Sequence, residues 1–453
     1  MNSQSTESRP EKAQTVEAIR SVCRPQPLVG PALDAFFVET DESRDPMQDT
    51  RQLLFDALTA TVDARILFYG HRGCGKSTEL NKFLTEHPDE FLAVKFSVLD
   101  EMSAVAARAE DLILVITDQV LQTAQRAGLA VDPGNIERVL KYFTETTVTM
   151  QGSRDALLET GAGVSTEGSL WDKLLGLYAK FRAEIKYSAH SDETTVATLR
   201  KRPADLLVQA NEVISAVRKV LPDGKSLLII VEDMDKLELK QAYNIYVNNA
   251  TLMTGVNAKV VYTIPVFLFH SPEAEVFIQQ FDGTVALPMI KVCDFVTKQR
   301  TRGFEIMRSI VLKRINAKLI EGDALDMLIE KTGGVPRHTF EVLNHAAAIR
   351  DVTAPISKDH IRYGLDKLKN QIWLQIALPL EPMDNGPQHV SELYDRLTEY
   401  ARQQRKGERV IPGADPINQL LLKSCALVEY NGKKWCGVHP LVIENLQELG
   451  RLE

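Results

Sequence analysis

Gly70-His71-Arg72-Gly73-Cys74-Gly75-Lys76-Ser77 is the stretch whose residue types and spacing most directly imply chemistry. It reads Gly, four residues, Gly, Lys, Ser, the pattern of a loop that cradles phosphate. Glycines at these points let the backbone curl with its N–H groups turned inward, towards an anion. Lys76 is placed to reach the β- and γ-phosphates of a nucleotide, Ser77 to ligate Mg²⁺, and Thr78 follows in the same cradle. Ahead of the loop, Ala64-Arg65-Ile66-Leu67-Phe68-Tyr69 is an apolar strand candidate. After it, Thr78–Leu84 carries apolar residues at helical spacing. A helix starting where the phosphate sits offers unpaired N–H groups and a favourable dipole to the negative charge.

Binding a nucleotide needs only that loop, whereas hydrolysis also needs a metal and a polarised water. Leu227-Leu228-Ile229-Ile230-Val231 is a continuous apolar run suited to a buried parallel strand, and it ends in Glu232-Asp233-Met234-Asp235-Lys236. Parallel sheets place ligands beyond the carboxyl ends of their strands, so these acids are placed to serve the loop. In the preferred register Glu232 serves the metal and Asp233 orients the attacking water; in the other, Asp233 serves the metal and Asp235 the water. Thr263 ends the next strand candidate, Ala258–Pro265, within reach of the γ-phosphate or that water.

The elements that must position these residues alternate strand and helix up to about residue 290. Phe91–Leu99 reads as a second strand and Thr284–Met289 as the last. Ala35–Thr40 reads as a strand or a lead-in packing on the core, and residues 48–60 as a helix with Asp49 or Thr50 as a cap. Between the second and third strands, about 101–222 is a helical insertion, interrupted near 160–164 and 188–195. Residues 291–372 read as four helices and 373–453 as helix plus hairpin, with Asn431-Gly432 as the turn signal. The first 28 residues read as a flexible tail. The expected architecture is α/β: a parallel-sheet core over 29–290, an all-α lid, and a C-terminal winged-helix-like domain.

Composition narrows the function. A net charge of −8 over 453 residues argues against a general polyanion binder, although 291–370 holds 15 Lys+Arg against 10 Asp+Glu. Five cysteines without metal or disulfide spacing, and no apolar run of about 18 residues, fit a soluble cytoplasmic protein.

Loop, acidic strand end and lid together resemble the AAA+ and STAND groups of P-loop ATPases, over roughly residues 30–370 outside the insertion. The strand ending in Glu232-Asp233 resembles their Walker B motif, Thr263 their sensor 1, and Gly333-Gly334-Val335-Pro336-Arg337 their sensor 2 turn. The resemblance implies that Arg337 reaches the phosphates from the lid, and leaves Arg300, Arg302 and Arg314 as arginine-finger candidates. Glu232 stands where the family usually has Asp, and Asp233 where AAA+ members have Glu; that points to slow turnover. The function implied by the resemblance is a switch that binds ATP and Mg²⁺, forms a homo-oligomer in the ATP state and signals to a separate effector protein, as in bacterial defence. One alternative is an origin-recognition or transposition ATPase using the winged helix on DNA, where Asn418, Gln419, Lys423, Lys433 and Lys434 are the available contacts. Another is a nucleotide-dependent interaction protein that does not hydrolyse.

Overall fold

The computed structural model describes residues 10–151, 169–187, 195–294, 296–350, 353, 355–379, 381–383, 385–431 and 435–453. Its centre is a five-stranded, all-parallel sheet: β1 (Arg65–Tyr69), β2 (Phe91–Ser97), β3 (Ser226–Glu232), β4 (Lys259–Ile264) and β5 (Gly283–Ala286), in the order β2-β3-β4-β1-β5. Side chains alternate across the sheet, so each strand feeds two cores. Leu67, Val94, Ile229, Val231, Val260 and Tyr262 enter one, with the insertion, the lid and much of the C-terminal region. Ile66, Phe68, Leu228, Ile230 and Val261 enter the other, with Leu80 and Phe83 of the helix Lys76–Glu86. Both faces are covered, which is why the strands read as unbroken apolar runs. This is the α/β architecture of a P-loop NTPase core.

The strand order decides where the chemistry falls. β4 lies between β3 and β1, and Phe68 is paired with Thr263. The loop after β1 and the acidic turn after β3 therefore flank the end of β4. The insertion leaves between β2 and β3 as the helices Ala109–Arg126, Pro133–Gln151, Leu170–Tyr187, Thr195–Leu199 and Pro203–Arg218. The first is buried for most of its length and packs on β2. Of the expected interruptions at 160–164 and 188–195, all but Thr195, which begins a helix, lie outside the described residues.

Four helices follow the sheet, Arg302–Arg314, Gly322–Lys331, Pro336–Ala347 and Lys358–Gln375, in the stretch expected to be a lid. After them come Val390–Arg405, Pro416–Lys423, the antiparallel pair β6 (Leu427–Asn431) and β7 (Trp435–Val438), and the helix Pro440–Glu448. Val428, Tyr430 and Trp435 of that hairpin share a core with Phe68 and Leu80, so the C-terminal region is packed against the sheet. Among the described residues, no helix is long and apolar enough to cross a membrane.

The structure corrects some expectations. Residues 10–28 are not a tail: Val16–Val22 is a helix with Val16 and Ile19 buried, and Ala13 pairs with Ile315 of the lid. Its apolar residues recur at one helical face, a pattern too short to stand out among polar neighbours. Of the two readings of 35–40, strand or lead-in packing on the core, the strand does not form; a helix, Gly30–Phe36, with Pro31 in its first turn, leads in and buries Leu33 and Phe36. The helical stretch between β3 and β4 is broken into Leu239–Tyr243, a π-turn at Asn244–Asn248 and Ala250–Thr254. On Pro416–Lys423, Asn418 and Gln419 are buried rather than presented to DNA. Asn418 bonds to Tyr400 and Gly413, Gln419 donates to the Tyr243 hydroxyl at 2.9 Å, and Lys423 pairs with Glu238. Lys433 and Lys434 lie outside the described residues.

Candidate functional site: a closed phosphate cradle

Gly73 and Gly75 take φ of +81° and +109°, backbone that residues with a Cβ adopt only under strain. Those two positions curl the loop before helix Lys76–Glu86 begins. A Cβ on Gly73 would lie 2.7 Å from the Arg337 Cβ, so the lid helix is seated directly on the loop. The Arg337 backbone N–H also donates to the Gly73 carbonyl at 3.4 Å.

Lys76 is buried, and its ammonium is fully occupied within the chain. It donates to the carbonyls of Gly70 (2.8 Å) and His71 (2.9 Å) and pairs with Asp235 at 3.0 Å. Burial alone would lower the Lys76 pKa; the Asp235 carboxylate outweighs it, and the net shift is upward. Glu232 pairs with Lys95 at 2.7 Å through Oε2, leaving Oε1 buried without a partner among the described residues. Asp233, in left-handed backbone at φ +63°, pairs with Lys236 at 2.5 Å and accepts from the Ser97 hydroxyl at 2.7 Å. Burial pushes the Asp233 carboxyl up, but the Lys236 and Ser97 hydrogen bonds and the Lys236 charge hold it below the ordinary carboxylate range.

Arg72, Gly73, Gly75, Lys76, Ser77, Thr78, Glu232, Asp233, Asp235 and Arg337 meet around one cavity of about 210 Å³. Pro25–Pro27, Lys236, Arg314, Pro336 and Phe340 complete its wall. Gly70 and the buried His71 and Cys74 form the floor of the loop and do not line the cavity. Thr263 does not line it either. Its hydroxyl donates to the Val231 carbonyl at 3.1 Å and accepts from the Met234 N–H at 3.2 Å, so it fastens the end of β3 and the acidic turn to β4. Of the three finger candidates, Arg300 pairs with Asp326 and Glu330 and Arg302 with Glu42. Arg314 is buried inside its own chain.

The donor set suits Mg²⁺, a hard cation that takes few protein oxygens and keeps waters and substrate phosphates. Ser77 lines the cavity, and Glu232 has an oxygen to spare.

Several contacts have no sequence signal. Arg44 is buried; it donates to the carbonyl of Cys74 at 2.7 Å and to that of Pro288, bracing the loop from below. The C-terminal hairpin clasps the same loop: the Glu429 N–H donates to His71 Nε2 at 2.8 Å, and the Glu429 carboxylate meets His270 at 3.1 Å. Burial, with Lys76 and His270 nearby, pushes His71 down to about 3, so it is neutral and an acceptor at Nε2. The Tyr430 hydroxyl donates to the Gly333 carbonyl at 3.0 Å, and His338 meets His439 at 3.2 Å. Leu28 accepts from Asn81 and donates to Thr78, which ties the N-terminal segment to the loop helix. None of these partners is near its mate in sequence, and only Gly-rich spacing around 333–337 hints that the lid turns back on the loop.

No protein-family model matches the chain, and no curated protein matches it by sequence. Among solved structures it is similar to a Walker-type ATPase of Pyrococcus abyssi, with a TM-score of 0.41 and 12% identity over 91% of this chain and 99% of that one. It is similar as well to Cdc6p from Pyrobaculum aerophilum, with a TM-score of 0.39 and 12% identity over 97% of this chain and all of that one. At these scores neither neighbour assigns a role to a residue here.

Proposed function

We propose that the chain binds ATP with Mg²⁺ in this cavity, hydrolyses it slowly, and uses the change to shift its lid and C-terminal region against the core, in the manner of the AAA+ and STAND ATPases that its motifs resemble. The charge balance of the cavity carries the reading. Each acid there has a lysine partner: Glu232 with Lys95, Asp233 with Lys236, Asp235 with Lys76. Arg72, Arg337 and Arg314 line the same cavity; Glu341 of the lid acts through space on Arg337 and Arg72, and among the described residues no carboxylate is in ion-pair contact with any of the three. A cavity with surplus guanidinium charge, closed over a glycine-rich cradle, is built to receive a polyanion.

The chemistry follows from what holds each group. The triphosphate displaces the internal partners of Lys76, whose ammonium then serves the β- and γ-phosphates. Ser77 and Glu232 would hold Mg²⁺, which would offset the charge on the phosphate oxygens. Asp235, released by Lys76, and Asp233 are the two carboxylates able to orient the attacking water. Asp233 is tied to Lys236 and Ser97 and its pKa is depressed, which makes it a weak base and supports slow turnover. The loop carries the mechanical link, because Gly73 touches the lid and His71 the C-terminal hairpin. An effector protein and a nucleotide-dependent homo-oligomer belong to this reading as the output of the switch. The buried Asn418 and Gln419 weigh against the DNA-reading alternative.

The test is ATP turnover with and without DNA for wild type, Lys76→Ala, Asp233→Asn and Asp235→Asn. Lys76→Ala is expected to abolish nucleotide binding; unchanged affinity and turnover would sink the proposal. Stimulation by DNA that is lost at raised salt would favour the DNA reading.

A further inference from the structure

Arg314 is the last residue of the lid helix Arg302–Arg314 and reaches the phosphate cavity. It is 6% exposed. Its guanidinium carbon lies 4.0 Å from the ring centre of Phe340 and 6.0 Å from that of Phe36. Its Nε is buried with no hydrogen-bond partner among the described residues. Burial lowers its pKa to about 10, with only the Cys23 thiol acting against that, so it stays a cation at neutral pH. The other buried arginines are held differently: Arg51 meets Glu39, Glu79 and Glu86, Arg200 meets Asp111, and Arg44 is spent on carbonyls and Thr40. A buried guanidinium clamped by rings but given no counter-ion is costly unless something supplies one.

We propose that Arg314 is a phosphate ligand supplied by the lid of the same chain, its guanidinium donating to an oxygen of the bound nucleotide's phosphate chain. The inference rests on the reading of the cavity as a nucleotide site. A guanidinium has donors and no acceptor, so its ligand must present acceptors. A desolvated cation gains most from an acceptor that is also an anion, which selects phosphate over a base or ribose edge. Phe340 lies one helical turn beyond Arg337, so Arg337 beside Gly73 and Arg314 on Phe340 present charge along one wall of the cavity. The position also has a mechanical consequence. Beside Arg314, the Ala13 N–H donates to the Arg314 carbonyl at 2.9 Å and the Asn316 N–H to the Ala13 carbonyl at 3.0 Å. Phosphate on Arg314 thus holds the lid helix and the segment 13–23 together over the occupied cradle.

The experiment is calorimetric titration of the full chain with ADP, ATP and inorganic tripolyphosphate, for wild type, Arg314→Met, Arg314→Lys and Lys76→Ala, with melting of each protein free of ligand. Met keeps the apolar stem against Phe340 and removes an unpaired buried charge, so the ligand-free melting point of Arg314→Met should equal or exceed that of wild type. Its affinity should fall about tenfold or more for all three ligands, the size expected for losing one charge-assisted bond. Arg314→Lys should fall between the two, since an ammonium keeps the charge and loses the fork. Amide exchange of residues 13–23 should slow with ADP in wild type and not in Arg314→Met. ADP affinity of Arg314→Met within about twofold of wild type would overturn the assignment. So would a loss confined to nucleotides with tripolyphosphate binding unaffected. If Arg314→Met does not fold, wild-type affinity in Arg314→Lys overturns it. Failure of wild type to bind any nucleotide instead removes the nucleotide reading itself, whereas normal wild-type binding with loss in Lys76→Ala keeps that reading and isolates Arg314.

Discussion

Asp235→Asn puts the closed cradle to its sharpest test. In the ligand-free protein Lys76 spends its donors on two carbonyls and one carboxylate, and only the carboxylate cancels its charge. Side-chain exposure is 6% for Lys76 and 7% for Asp235, so solvent screens neither. Removing one partner of a buried ion pair and stranding the other costs about 3–5 kcal/mol. The amide can still accept a hydrogen bond, which places the expected loss near the lower end, about 3 kcal/mol. Bound nucleotide changes the comparison, because phosphate replaces Asp235 as the counter-charge of Lys76. The stability gap between Asp235→Asn and wild type should therefore shrink to under about 1 kcal/mol with saturating ADP. Urea unfolding of both proteins with and without ADP measures the two gaps. A gap of the same size in both conditions would mean that Asp235 does not hold Lys76 in competition with phosphate. A ligand-free gap below about 0.5 kcal/mol would mean that the pair is not buried at all. Turnover adds a separate reading: loss of hydrolysis with ADP affinity kept or raised would favour the register in which Asp235 serves the water.

Gly73→Ala and Gly224→Ala form a controlled pair. Both glycines sit at positive φ, +81° and +83°, but only Gly73 has a neighbour, Arg337, within reach of a Cβ. Gly224→Ala should cost only the backbone term, about 1 kcal/mol, whereas Gly73→Ala should cost more and weaken ADP binding as the lid is pushed off; equal losses would argue against the seated lid. Acid should loosen the C-terminal clasp. Burial first, then neighbouring charge, holds His71 at about 3 and His338 well below its ordinary value, and burial holds His439 at about 4. Below about pH 6.5 the unfolded chain binds protons that these folded histidines refuse, so stability falls as pH drops towards 4, by up to about 1.4 kcal/mol per pH unit for each. Asp118, which burial pushes up to about 6, and Glu79, Asp111 and Glu341, whose carboxyls burial also raises, work in the opposite direction and offset part of that loss. An NMR titration in which the folded His71, His338 and His439 rings protonate at about pH 6.5 would contradict the buried neutral histidines.

The residues from 70 to 78 declare their chemistry in sequence because a phosphate loop is local: glycine spacing sets its backbone, and the flanking strand and helix are its immediate neighbours. The apolar run 227–231 gives away its place in a parallel sheet for a similar reason, since a strand covered on both faces has no polar alternation. The acid register stays open in sequence because Glu232, Asp233 and Asp235 lie within four residues, and nothing local says which faces Lys76. The fold shows only which acid meets Lys76 without ligand: Asp233 turns through left-handed backbone, and Asp235 is the acid that reaches the ammonium. Residues 10–28 read as a tail because a helix of seven residues carries little periodic signal, and its burial depends on the lid, some 300 residues away. Arg44, Glu429 and Arg314 give no signal for the same reason. A charged side chain far along the chain looks solvated until the fold removes its water, and what then matters is whether the fold also supplies a partner. The cradle and its glycines are thus determined by sequence alone. Only tertiary packing decides that the lid, the C-terminal hairpin and the N-terminal segment all close on it, and that Arg314 faces it without a carboxylate partner among the described residues.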